Sequence, residues 1–219
     1  MADASQQAIA QTLIRQYGQT FAEELEIDVA KNSPAPLFQL LCATMLFSAR
    51  INQTIATQSM QALRDRGWKS ADRMAASTWE ERVEALTEGG YTRYRERTAT
   101  MLGDTVERLM QEYDGDLRQL RSRADQQPEE ERSLIKEFKG IGDVGVDIFF
   151  REVQLAWEEL YPFADQKSRS AAQKLDLPDE PEALAELVDR SDFVRLIAAL
   201  VRVNLDDAYG EILQAARGG

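Results

Sequence analysis

The chain has no histidine and only one cysteine in 219 residues. Without imidazole there is no Ser-His-Asp or Cys-His nucleophile and no His-ligated zinc, so any chemistry falls to carboxylates, lysines or hydroxyls. A single thiol cannot close an intrachain disulfide, and Cys42 sits inside an apolar helical run where a buried thiol is expected. No apolar run approaches the roughly 18 residues of a membrane span, and Met1-Ala2-Asp3-Ala4-Ser5-Gln6 has neither a basic start nor an apolar continuation. A soluble intracellular protein with no membrane partner is expected. Gly-x-x-x-x-Gly-Lys-Ser/Thr and a post-strand Gly-x-Gly-x-x-Gly are also missing. Basic residues are in deficit, with 26 Lys and Arg against 38 Asp and Glu and a formal charge of −12.

What is present is helical periodicity. Apolar residues recur at three- and four-residue spacing over residues 4–26, 36–48, 51–66, 79–87, 92–113, 129–139, 143–160, 167–174, 181–189, 191–204 and 206–216. Strand signals are sparse, so the fold class is all-α. Gly67, Gly89-Gly90 and Gly115 mark turns, and Gln126-Gln127-Pro128-Glu129 is a polar connection. At 43% hydrophobic, the chain can bury a core as one domain or two small ones. Trp68, Trp79, Trp157, Phe149 and Phe150 fall at helix-spaced apolar positions and are expected in the core.

The segment Leu134-Ile135-Lys136-Glu137-Phe138-Lys139-Gly140-Ile141-Gly142-Asp143-Val144-Gly145-Val146-Asp147 reads as helix, tight Gly-Ile-Gly turn, helix, spanning 134–150. Such a turn can bring a phosphate against main-chain N–H groups at the positive end of the second helix, or can simply connect two helices. Asp165 follows about one helix later, after Tyr161-Pro162-Phe163-Ala164. Taken alone it is a good helix N-cap.

The order of these motifs resembles the helix-hairpin-helix DNA glycosylases related to endonuclease III, whose pattern is Leu-x-Gly-Ile/Val-Gly opening a helix and then an aspartate some two dozen residues on. Phe138 stands where the leucine would be. Two upstream segments fit the same family. Pro36-Leu37-Phe38-Gln39-Leu40-Leu41-Cys42-Ala43-Thr44-Met45-Leu46-Phe47-Ser48-Ala49-Arg50 is similar to its apolar helix ending in Leu-Ser-Ala-Gln, and Gly90-Tyr91-Thr92-Arg93-Tyr94-Arg95 is similar to its glycine-aromatic turn. The likeness covers residues 30 to 175 well and the ends loosely.

That resemblance implies a helix-hairpin-helix glycosylase fold with two helical subdomains and a cleft between them. Residues 30–159 would form a six-helix unit carrying the hairpin, and 1–29 plus 160–219 a discontinuous second unit. The implied partner is double-stranded DNA with a damaged or mismatched base, and the implied location is the cytoplasm, nucleoid-associated in a bacterium or archaeon. Gly140, Ile141, Gly142, Val144 and Gly145 would grip a phosphate, with Lys139, Lys167, Arg93 and Arg95 as phosphate contacts. Arg50 and Tyr91 occupy the positions that fill the gap left by an extruded base. Asp165 would be the catalytic acid, its carboxylate stabilising the oxocarbenium-like charge that grows as the glycosidic bond breaks.

Three departures narrow the reading. Val144 replaces the lysine that forms a Schiff base in bifunctional relatives, so lyase chemistry is not expected. Gln166-Lys167 follow Asp165 in place of Thr-His, which alters the surroundings of the acid. The lone cysteine cannot supply the four thiolates of the iron–sulfur cluster found in many relatives, so no cofactor and no metal are expected. Met45 and Thr44 stand where the mismatch-adenine branch carries a glutamate.

Charge opposes DNA binding overall but is unevenly spread. From Arg50 to Arg108 there are ten basic and nine acidic residues, whereas residues 1–30 hold one against five and 176–193 one against seven. The C-terminal acidic stretch, Asp176, Asp179, Glu180, Glu182 and Glu186, is either a solvated face or a protein-partner surface. The expected function is a monofunctional DNA glycosylase of base-excision repair; a catalytically inactive paralogue that recognises distorted DNA is the alternative, and an acidic helical adaptor the third.

Overall fold

A computed structural model describes residues 4–49 and 51–217, the side chain of Arg217 excepted. Among these residues there are helices and no strands. In chain order the helices are α1 (Ala4–Tyr17), α2 (Phe21–Glu24), α3 (Pro34–Ser48), α4 (Gln53–Asp65), α5 (Ala71–Ala75), α6 (Trp79–Glu88), α7 (Arg95–Tyr113), α8 (Leu117–Arg123), α9 (Pro128–Lys136), α10 (Asp143–Val153), α11 (Gln166–Lys174), α12 (Pro181–Ala185), α13 (Arg190–Asp206) and α14 (Tyr209–Arg217). Contacts divide the chain into two compact units, Leu25–Phe149 and the described residues of Met1–Glu24 with Phe150–Gly219. Both boundaries lie N-terminal to the 29/30 and 159/160 breaks implied by the resemblance, and the second falls inside α10.

The Leu25–Phe149 unit is built around α3. Pro34 opens it at a position where a missing N–H costs nothing, and every residue from Leu37 to Leu46 is buried, so the helix is apolar on all sides. Helices α4 and α8 pack against it; α6 lies against α4 and α7, and α7 also takes α5 and α8. Local caps fix the starts: Asn52 accepts from the Thr54 amide, Asp116 from that of Arg118, and Thr78 with Glu81 forms a reciprocal capping box. Two short helices, α5 and α8, are absent from the periodicity reading. Trp79 corrects the core assignment: it is 39% exposed at the start of α6, its indole N–H donating to Thr100 Oγ1 at 3.1 Å.

In the other unit α1 and α11 pack on α13, which buries Phe193, Val194, Leu196, Ile197 and Leu200. The expected single helix over 4–26 is two, with α1 ending at Tyr17 and α2 starting at Phe21. The buried Glu152 carboxylate accepts from the amides of Phe21 and Ala22, both at 3.2 Å, and so caps α2 from across the sequence.

Candidate nucleic-acid interface

The hairpin is the connection between α9 and α10. Phe138 and Ile141 bury their side chains and anchor the turn, and the Ile141 amide donates to the Phe138 carbonyl at 3.1 Å. The two turn glycines differ. Gly140 has φ +88°, so its conformation demands glycine, and a Cβ there would lie 2.8 Å from Met101 Sδ, the movable end of a flexible side chain. Gly142 has no positive φ and a Cβ there would meet open space, so neither the turn conformation nor packing requires glycine at this position. Its surroundings are vacant rather than strained. Gly145 is buried and a Cβ would press on Ile141 Cγ2 at 2.9 Å, so it is a packing glycine; Ile141 likewise serves the turn from inside. What remains for a phosphate is the exposed stretch Gly142–Val144 and the amides of the first turn of α10, which have no intrahelical acceptor.

The cations flanking the hairpin are held by acids. Lys139 pairs with Asp104 at 2.9 Å, Lys136 with Asp143 at 2.6 Å, Arg132 with Asp147 at 2.9 Å, and Arg108 with Glu137 and Glu112. Asp143 lies in the first turn of α10, and its hydrogen bond and attraction to Lys136 hold its carboxyl below the usual carboxylate range. Val144 is 47% exposed and carries no amine.

Beside the turn is a pocket of about 300 Å³ lined by Met45, Ser48 and Ala49 from the end of α3, Tyr91, Tyr94, Arg97, Thr98 and Met101 from the α6–α7 connection and α7, and Gly140 of the hairpin. The three sequence motifs, far apart in the chain, therefore converge on one cavity. Tyr91 forms its inner wall: it is 4% exposed, its hydroxyl accepts from Thr98 Oγ1 at 3.2 Å, and its ring is not free to enter DNA as the sequence suggested. Tyr94 is the available ring. It is 58% exposed, sits in the left-handed region with φ 63° at the N-cap of α7, and carries the Arg93 guanidinium 4.8 Å from its ring centre. Nothing in the residue pattern says which of two tyrosines three apart turns inward. Arg93, Arg95 and Arg97 form no ion pair among the described residues, unlike the cations of the hairpin. Arg50 lies outside the described residues.

Asp165 belongs to the other unit. It is the N-cap of α11, and Oδ1 accepts from the Ser168 amide and the Ser168 hydroxyl, both at 2.9 Å. Oδ2 is 3.2 Å from Arg151 Nη1, with the two side chains 4% and 5% exposed. The segment before it is pinned by Gln154, whose amide both donates to the Phe163 carbonyl at 3.0 Å and accepts from the Phe163 amide at 2.9 Å. Arg151 and Ser168 were not legible as partners of the acid, because they join it only through the fold. Lys167, one residue into α11, is exposed. Cys42 is fully buried in α3, and burial pushes its thiol far above the ordinary range. Among the described residues no three His, Cys, Asp or Glu side chains gather as a metal site. In the C-terminal acidic stretch Asp179 and Glu180 close around Arg169, at 3.9 and 2.9 Å.

No family model and no curated protein matches this chain. Among solved structures it is similar to a trapped covalent intermediate of endonuclease III with DNA, an estranged-adenine complex, at 15% identity and a TM-score of 0.50, covering 76% of this chain and 73% of that one. The chain has the all-helical, helix-hairpin-helix glycosylase fold of endonuclease III.

Proposed function

We propose that this chain is a DNA-binding protein of the base-excision-repair type, which holds distorted duplex DNA through the hairpin and the adjoining pocket. The observation that carries the reading is the convergence of the α3 end, the Tyr91–Thr98 segment and the Gly140 turn on one cavity, beside a turn left open at Gly142. The DNA-bound state of the similar endonuclease III structure supports it. Main-chain amides at α10 would take a phosphate, Tyr94 would stack on or between bases, and Arg93, Arg95 and Arg97 would supply unpaired positive charge.

Recognition without cleavage is the form favoured by Asp165, whose two oxygens are engaged by Ser168 and Arg151. A carboxylate neutralised in this way has little to offer a developing sugar cation. The second form, a monofunctional glycosylase, is favoured by the place of this acid at the head of the helix after the hairpin helix, and by Val144, which has no amine for an imine at that position, so that water would be the nucleophile. The test has two parts. Fluorescence anisotropy should show the full chain binding a duplex with an abasic-site analogue more tightly than the paired duplex, and alkali treatment after incubation with a panel of damaged bases should reveal no strand breaks. Alkali-labile sites at one lesion would establish the glycosylase form; no binding to any duplex at low salt would defeat both.

A further inference from the structure

We infer that the pocket beside Gly140 takes a single unpaired base of bound DNA and selects bases that present two neighbouring hydrogen-bond acceptors, guanine first and cytosine second. This rests on the DNA-binding reading above and adds a specificity to it.

The size fits one planar base: about 300 Å³ is at the lower end of small-ligand sites. The lining fits a flat, polarisable ring. Met45 and Met101 supply thioether contacts, and Tyr94 at the mouth supplies an exposed face for stacking. Its hydroxyl oxygens can still accept, and its charged group is a donor. Ser48 Oγ already donates to the Met45 carbonyl at 3.0 Å, and Thr98 Oγ1 to the Tyr91 hydroxyl at 3.2 Å, so both hydroxyl protons are committed within the wall. Among the described residues no carboxylate lines the pocket, and the one charged group that does is the guanidinium of Arg97, exposed and without an acid partner there. A guanidinium is a fork of donors with no acceptor.

That fork distinguishes the bases. Guanine offers O6 and N7 side by side, and an unpaired cytosine offers O2 and N3. Adenine sets an amino donor beside N7 and beside N1, and thymine sets N3–H between its two carbonyls. Against those two bases the guanidinium can satisfy one acceptor at most and meets a donor with its second arm. A larger ring also stacks more fully, which places guanine ahead of cytosine.

The experiment uses the full chain and four duplexes in which a tetrahydrofuran abasic analogue faces G, C, A or T, so that the opposite base is unpaired, with the paired duplex and free guanosine 5′-monophosphate as further arms. The duplex with unpaired guanine should bind about 10-fold more tightly than that with adenine or thymine. Arg97→Met, and Arg97→Lys as a variant that keeps the charge, should bring the four affinities together. Tyr94→Ala should weaken all four by about 5-fold or more while keeping their order. Equal affinities of the native chain for the four duplexes would overturn the inference and leave DNA binding standing. Displacement of duplex by the free nucleotide at equal concentration would overturn it in favour of a nucleotide site. Failure to bind any duplex would remove both the inference and the reading beneath it.

Discussion

Replacing Asp165 by asparagine separates its structural role from a chemical one, because the substitution keeps shape and the Oδ1 acceptor for the Ser168 amide while removing the charge opposite Arg151. Both side chains of that ion pair are almost fully shielded from solvent. Leaving Arg151 buried without its partner should cost roughly 3–5 kcal/mol. For a chain of this size about 1 kcal/mol moves Tm by roughly 2–4 °C, so the asparagine variant should melt about 6–20 °C lower. Asp165→Ala should lose about 1 kcal/mol more, since the cap goes as well. Combining Asp165→Asn with Arg151→Met removes both charges and should recover most of the loss, and that recovery distinguishes a broken ion pair from general disruption. The measurement is thermal melting and urea unfolding followed by circular dichroism, with an unchanged urea slope as the check that the same transition is observed. A shift of less than 2 °C for Asp165→Asn, together with loss of base release, would refute this account and show the carboxylate to be held for catalysis.

Four further outcomes follow from the geometry. Gly142→Val should fold with native stability and lose affinity for every duplex alike, whereas Gly140→Ala should lower Tm, since only position 140 combines φ +88° with Met101 at 2.8 Å; equal melting losses for the two would contradict the distinction. Asp143→Asn should strengthen duplex binding at low salt in anisotropy titrations, because it removes an anion from the first turn of α10 and frees Lys136. Borohydride treatment with an abasic duplex should trap no covalent adduct, as Val144 has no amine. Glu152 has its carboxyl raised from 4.5, first by burial and against the pull of the Ala22 and Phe21 amides and Arg151. The folded state therefore keeps this proton to higher pH than the unfolded chain, so its contribution to stability is full below the unfolded value and falls as pH rises through the folded one. Wild type should accordingly lose stability relative to Glu152→Gln as pH rises above the ordinary carboxylate range in urea melts; a difference independent of pH would exclude it.

Helix content was legible in the sequence because amphipathic periodicity is a local property: α3, α4, α6, α10, α11 and α13 lie within about three residues of their expected starts. Breaks were less legible. The expected run 143–160 stops at Val153 and resumes as a 3-10 turn at Glu158–Leu160, and the run 4–26 breaks before Phe21, where the carboxylate of Glu152 supplies a cap from 131 residues away. The site shows the same division. That Gly140 and Gly142 form a turn follows from local chemistry, but that only Gly140 takes a positive φ appears in the folded turn, and which of Tyr91 and Tyr94 is buried depends on Thr98 and the end of α3. Asp165 was recognisable as both a cap and a family acid; only the fold brings Arg151 to it.

The in-place neutralisation of Lys136, Lys139, Arg108 and Arg132 bears on how such a protein would search a genome. Attachment to undamaged duplex depends on cations that release counterions from the phosphates, and with a net charge of −12 and its hairpin cations already satisfied, this chain has little to keep it there. Visits to intact DNA would be brief and sliding short, and most copies would be free at any moment. A long dwell would begin only where the helix is already deformed enough to offer a base to the pocket, so discrimination would come from fast departure elsewhere rather than from tight general attachment.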